Sequence, residues 1–159
     1  LNNNNLTIDQ SFSVIGITLR TTNKAAINDG SIAQLWQQFL TDATYSKIPN
    51  KIDGALIAVY YDFENDKSGQ YTVLLGARVS SIETIPAGMV AHSVPTQKRM
   101  VFTSERGPIP NIVFDLWNKI WKLENERKIN RSYDADYELY ENLNQNPEES
   151  VMTIHIGVQ

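Results

Sequence analysis

Tyr133-Asp134-Ala135-Asp136-Tyr137-Glu138-Leu139-Tyr140 is the stretch where acids and aromatics alternate inside what reads as a β-strand. Side chains two apart share a face of a strand, so Asp134, Asp136, Glu138 and Tyr140 project one way while Ala135, Tyr137 and Leu139 project the other. A carboxylate beside a phenol supports two chemistries: pairing with a cation, or taking up a proton as a base. A charge pair near 4 Å is worth about 4 kcal/mol at an effective dielectric of about 20, and each aromatic face adds about 0.5 to 2. Micromolar binding of a lipophilic cation, about −8 kcal/mol, is then within reach. The expectation is that Glu138 lines a cleft with aromatic walls; the same pattern also fits a solvated glutamate on an open sheet face.

Candidate walls are plentiful. Trp36, Trp117 and Trp121 fall on helical stretches, and Tyr60, Tyr61, Phe63, Tyr71 and Tyr140 on strands. Large aromatics serve cores as readily as pockets, so type alone does not separate the two roles. Tyr60 and Tyr61 point to opposite faces, so at most one can share a groove with Glu138. Other chemistries find little support. His92 and His155 are isolated and fit no metal-ligand spacing, and the chain has no cysteine, which excludes disulfides, thiolate sites and cysteine nucleophiles. Asp62, Glu64 and Asp66 faintly suggest a calcium loop, but Lys67 stands where that loop needs glycine, so a hairpin turn is expected.

These side chains need a scaffold. Ser13 to Thr22 reads as a strand that bends near Gly16, and Asn28-Asp29-Gly30 as a turn. Ser31 with Gln34 reads as a capping box opening a helix whose stripe is Ile32, Leu35, Trp36, Phe39 and Ala43, ending before Pro49. Gly54–Phe63 and Gln70–Ser80 read as a hairpin, and Met89 to Thr103 as a strand interrupted near Pro95. Pro108 and Pro110 precede a second helix running from Ile112 to Leu123. The acidic strand, a loop through Pro147 and a strand from Val151 to Val158 complete the chain. The order strand, helix, strand, strand thus occurs twice. Leu35-Trp36 overlies Leu116-Trp117, Ile32 overlies Val113 and Gly76 overlies Gly157 at one separation, 81 residues, which points to an internal duplication. Helices on one side leave the opposite sheet face uncovered, and a groove is expected there.

The chain has 159 residues, enough for one domain with a substantial core. Fourteen Lys and Arg against eighteen Asp and Glu give a net charge of −4, which argues against direct nucleic-acid binding. No apolar run approaches a membrane span and no leader pattern is present, so no membrane association and a cytoplasmic location are the default expectations. Residues 1–11, opening with an asparagine run, read as a disordered or linker-like terminus, and the missing initial methionine leaves room for an upstream module. Residues 12–159 read as one domain, with repeats of about 12–80 and 85–159.

Several stretches in this order resemble the GyrI-like effector-binding domain found in AraC- and MerR-type regulators, especially its stand-alone integron cassette-associated branch. They are Leu35-Trp36-x-x-Phe39, Val59-Tyr60-Tyr61-Asp62-Phe63, Gly69-x-Tyr71 with Gly76 and Val79, Ile85-Pro86-Ala87-Gly88, Trp117-x-x-Ile120-Trp121 and Asp136-Tyr137-Glu138-Leu139-Tyr140, spanning Phe12 to Val158. The resemblance implies an α+β fold: a tandem βαββ repeat with pseudo-two-fold symmetry, an antiparallel sheet, two helices on one side and a ligand groove between the halves. It implies that Glu138 faces the groove and pairs with hydrophobic, cationic aromatic compounds. With it, Tyr140, Tyr60, Trp36, Trp117, Trp121 and Phe63 are the candidate ligand-binding residues, and no cofactor or metal is expected. A transcriptional role would need a DNA-binding regulator domain or a partner protein. Arg99 and Met100 depart from the family pattern, so a differently charged groove rim is expected. Some relatives of the fold are hydrolases that use the glutamate as base with a tyrosine, here Tyr140 or Tyr60; the bland alternative is a structural module receiving a protein segment.

Overall fold

The two halves of the chain build the same unit on either side of a central strand pair. The computed structural model describes residues 5–141 and 146–159. The first half runs β1 (Leu6–Asp9), β2 (Phe12–Thr21), α1 (Asn23–Asp29), α2 (Ser31–Thr41), α3 (Thr44–Lys47), β3 (Leu56–Tyr61) and β4 (Tyr71–Val79). The second runs β5 (Val90–Val94), β6 (Gln97–Thr103), α4 (Asn111–Asn125), β7 (Ala135–Tyr140), a 3-10 turn at Pro147–Glu149 and β8 (Thr153–Gly157). The strands form one antiparallel sheet in the order β1-β6-β8-β7-β3-β4-β2-β5. From the centre outward, β3-β4-β2 mirrors β7-β8-β6, so a pseudo-two-fold axis passes between β3 and β7. The matched leucines of the two repeats, Leu35 and Leu116, are both buried under their helices.

The sheet curls until its ends meet. Asp9 lies opposite Gln97, and Phe12 lies opposite Val94. The two pairings share one register, so β1 and β2 form one long bent strand that runs against β5 and β6. Where Gly16 faces Gly76 the two backbones approach too closely for a side chain: a Cβ on either would fall 2.0–2.1 Å from a carbonyl oxygen of the facing strand. The inner face holds Val14, Ile57, Val59, Tyr61, Leu74, Val94, Tyr137 and Leu139, buried with no helix contributing. The outer face packs Leu35 and Phe39 of α2 and Ile112, Leu116 and Ile120 of α4 against Ile15, Leu56, Ala58, Leu75, Ile154 and Ile156.

Five expectations need correction. The helix-free face carries no groove, because the curl fills it with its own side chains. The interrupted strand is two strands pairing at opposite ends of the sheet. Within the stretch expected to be linker-like, Leu6–Asp9 is an edge strand, held because Asp9 forms an ion pair with Arg99, Oδ2 to Nε 2.9 Å, and accepts from the Tyr137 hydroxyl at 2.6 Å. Residues 1–4 lie outside the described residues. Arg99 is wholly buried on the inner face, not at a groove rim, with its guanidinium 4.8 Å from the Tyr137 ring. Finally, Ser31 does not cap α2. A seven-residue helix, α1, precedes it, capped by Thr22 Oγ1 accepting from Ala25 N, and ends at Gly30. Gly30, at φ +66°, links α1 to α2 in a left-handed conformation that suits glycine.

Candidate ligand-binding site

The pseudo-two-fold axis leaves a gap. α2 and α4 pack on the outer face to either side of the axis, and the central strands β3 and β7 lie below the space between them. A cavity of about 600 Å³ opens there, between α2 and α4. Leu56, Tyr60, Glu138 and Tyr140 form its floor; Ile32, Trp36 and Leu40 form one wall, and Val113, Phe114, Trp117 and Trp121 the other. Phe63, Lys67 and Tyr71 close one end. The size falls within the range typical of small-molecule sites.

Side chains on the helix-facing side of β7 alternate as the residue types suggest. Asp136, Glu138 and Tyr140 point outward beneath the helices, and Ala135, Tyr137 and Leu139 point into the curl. Glu138 is 2 % exposed. Three neutral donors reach its carboxylate: Trp117 Nε1 at 2.7 Å and the Tyr60 hydroxyl at 2.8 Å donate to Oε2, and the Tyr140 hydroxyl at 2.8 Å donates to Oε1. Among the described residues, no cation lies within ion-pair distance of it. Burial pushes its pKa above the usual carboxylate value, against the three hydrogen bonds, which favour the charged form. The Tyr60 and Tyr140 hydroxyls are pushed well above their ordinary value, first by burial and then by the neighbouring Glu138. They remain protonated donors across the physiological range.

The rings brace one another. Trp36 meets Tyr140 edge-on with centroids 5.2 Å apart, Tyr60 meets Trp117 at 5.6 Å, and Trp117 lies 5.9 Å from Trp121. Phe63 packs on Tyr71 at 5.7 Å, and Tyr71 on Tyr60 at 5.6 Å. All seven candidates, Glu138, Tyr140, Tyr60, Trp36, Trp117, Trp121 and Phe63, therefore line one cavity. Tyr61 lies on the inner face, stacked on His92.

The family model of the integron-associated effector-binding proteins matches residues 6–158. The chain belongs to that family. It is similar to YobU of Bacillus subtilis (strain 168), whose name assigns it to transcriptional regulation, at 26 % identity over 146 residues, covering 91 % of this chain and 90 % of YobU. Among solved structures it is similar to the integron cassette protein VCH_CASS2 from the mobile metagenome of Vibrio cholerae, with TM-score 0.78, 26 % identity and coverage of 98 % and 95 % of the two chains. It also shares its fold with SAV2435, solved bound to tetraphenylphosphonium, with TM-score 0.72, 17 % identity and coverage of 97 % and 92 %.

Several lining residues of this family member escape sequence reasoning. Tyr71 was legible as a strand aromatic, and its alternation with Val73 and Leu75 puts it on the helix-facing side. Asn23, Ala26 and Ile27 come from α1, which buries no residue and so shows no apolar stripe. Arg131 lies outside every named helix and strand, in the segment ahead of β7, where no periodicity marks a position. Of the described residues, no group of three or more His, Cys, Asp or Glu could hold a metal, and no helix is long and apolar enough to cross a membrane.

Proposed function

We propose that this effector-binding protein recognises hydrophobic, cationic aromatic compounds, with Glu138 as their counter-ion and the surrounding rings as their walls. One observation carries the reading. A buried carboxylate is held ready by three neutral donors in an aromatic cavity, and no cation among the described residues lies within ion-pair distance of it. Burying a carboxylate uncompensated is costly, and a cationic guest removes that cost while its apolar surface is desolvated. Tyr60, Tyr140 and Trp117 fix the carboxylate's orientation. Trp36, Trp121 and Phe63 offer ring faces and edges to the guest. In a regulatory role the bound cation would be the signal, and a DNA-binding module or partner its reader.

Tetraphenylphosphonium is the first probe to titrate. Quenching of the tryptophan emission with a micromolar midpoint is expected, because Trp36, Trp117 and Trp121 all line the cavity. No change in emission and no heat would remove the reading. Mass measurement of recovered ligands separates binding from turnover, and unchanged masses are expected; a ligand lost in the wild type and retained with Glu138→Gln would favour hydrolysis instead.

A further inference from the structure

Besides the anion on its floor, the cavity has a cationic wall that is not fully used by the protein. Arg131 lines the cavity and is 5 % exposed. Its Nη2 donates to Asp136 Oδ2 at 2.7 Å, and its Nη1 sits 3.5 Å from Glu124 Oε1, too long and misdirected for a hydrogen bond. Among the described residues, neither Nη1 nor Nε, both buried, has a hydrogen-bond acceptor. The guanidinium carbon lies 4.3 Å from the centre of the Tyr133 ring and 5.7 Å from that of Trp117, the same indole that donates to Glu138. Burial works against the charge, but Asp136, Tyr133 and Glu124 outweigh it, so the group stays cationic.

A buried charged donor without an acceptor is destabilising, and an acceptor brought to it recovers a charge-assisted hydrogen bond. We propose that the ligands of this site carry, beside the cationic centre, a hydrogen-bond acceptor such as a carboxylate or carbonyl, which Arg131 receives through Nε and Nη1. The inference rests on the reading of Glu138 as counter-ion for the cationic centre. Spacing supports it. Asp136, which anchors Arg131, stands two residues from Glu138 on the same strand face, and Trp117 touches both Arg131 and Glu138, so the two groups are neighbours along one side of the cavity. The arrangement is a two-point reader: the anion on the floor takes the positive end of the guest, and the guanidinium takes its electron-rich end.

The test compares two probes with the same five-carbon arm, pentyltriphenylphosphonium and (4-carboxybutyl)triphenylphosphonium, by calorimetry at neutral pH. The carboxylate probe is expected to bind at least tenfold more tightly. In Arg131→Lys, which keeps a cation beside Asp136 but loses the planar fork, that ratio is expected to fall towards one. Equal affinities, or a tighter pentyl compound, overturn this inference and leave the cation site standing. A ratio unchanged in Arg131→Lys overturns the assignment to Arg131. Binding of neither probe removes the cation site and this subsite together. If the variant does not fold, the wild-type ratio still decides.

Discussion

Replacing Glu138 by glutamine separates what the carboxylate does for ligands from what it costs the fold. Glutamine keeps the shape. Its carbonyl oxygen can accept from Trp117 Nε1 and Tyr60, and its amide can donate to a rotated Tyr140 hydroxyl, so the floor of the cavity keeps its three contacts. What disappears is the negative charge. An ion pair near 4 Å is worth about 4 kcal/mol at an effective dielectric of about 20, and part of it is offset by stripping water from the ligand. Affinity for a lipophilic cation should therefore drop at least tenfold, and by several hundredfold where little is offset. Stability should move the other way. Burial raises the folded-state pKa of Glu138 above its ordinary value of 4.5, so in that window the folded protein holds a proton that the unfolded chain releases. Its contribution to stability is fully present below about 4.5 and is lost as pH rises through the raised folded value. The variant has no such loss. Its melting temperature minus that of the wild type should grow from pH 4 upward and then level off, because all other titrations cancel in the difference. Calorimetric titration and melting curves from pH 4 to 8 measure both effects. A difference that stays flat or shrinks with pH, or an affinity unchanged by the substitution, refutes the reasoning.

Three other perturbations test the surroundings. Tyr140→Phe removes the donor to Oε1 that favours the charged carboxylate, so the midpoint at which cation binding is lost on acidification should move to higher pH; an unmoved midpoint in a binding titration across pH would contradict this. Asp9→Asn leaves the wholly buried Arg99 without its counter-ion and should cost about 3 kcal/mol in a denaturant melt, whereas a loss under about 0.5 would show that β1 contributes little. His155, stacked on Tyr137 at 4.3 Å, has its pKa lowered from 6.5 to about 4, chiefly by burial. The folded state then binds fewer protons than the unfolded one between those values, so stability falls as pH drops from 6.5 through 4, and His155→Gln should flatten that part of the melting-temperature profile.

The parts of this molecule that obey a local period were legible in its residues. Strand alternation put Glu138 and Tyr140 on one side of β7 and Tyr137 on the other, and helical spacing exposed Leu35-Trp36 and Leu116-Trp117 as matched positions. The family resemblance then tied these to one groove. What depends on closure of the sheet was not legible. Val90–Val94 and Gln97–Thr103 read as one broken strand because nothing local says that they pair at opposite ends of a curled sheet. The same curl buries the face that seemed free for a ligand and draws Arg99 away from the groove. Asn23–Asp29 hid because a helix with no buried residue has no apolar stripe, and its stop at Gly30 was mistaken for a simple turn. Arg131 hid because its place is set by contacts that follow no local period: the ion pair with Asp136, the isolated bridge to Val158 and the Trp117 ring of α4.

Charge inversion at constant shape tests the central claim most directly. Tetraphenylphosphonium and tetraphenylborate present nearly the same four-ring surface with opposite charge, so any difference in their affinity reports the sign that the cavity selects. Calorimetric titration of the wild-type protein at neutral pH should show the phosphonium binding and the borate failing to bind, with the gap narrowing in Glu138→Gln. Equal affinities, or a preference for the borate, would mean that the buried carboxylate is not what recognises the guest.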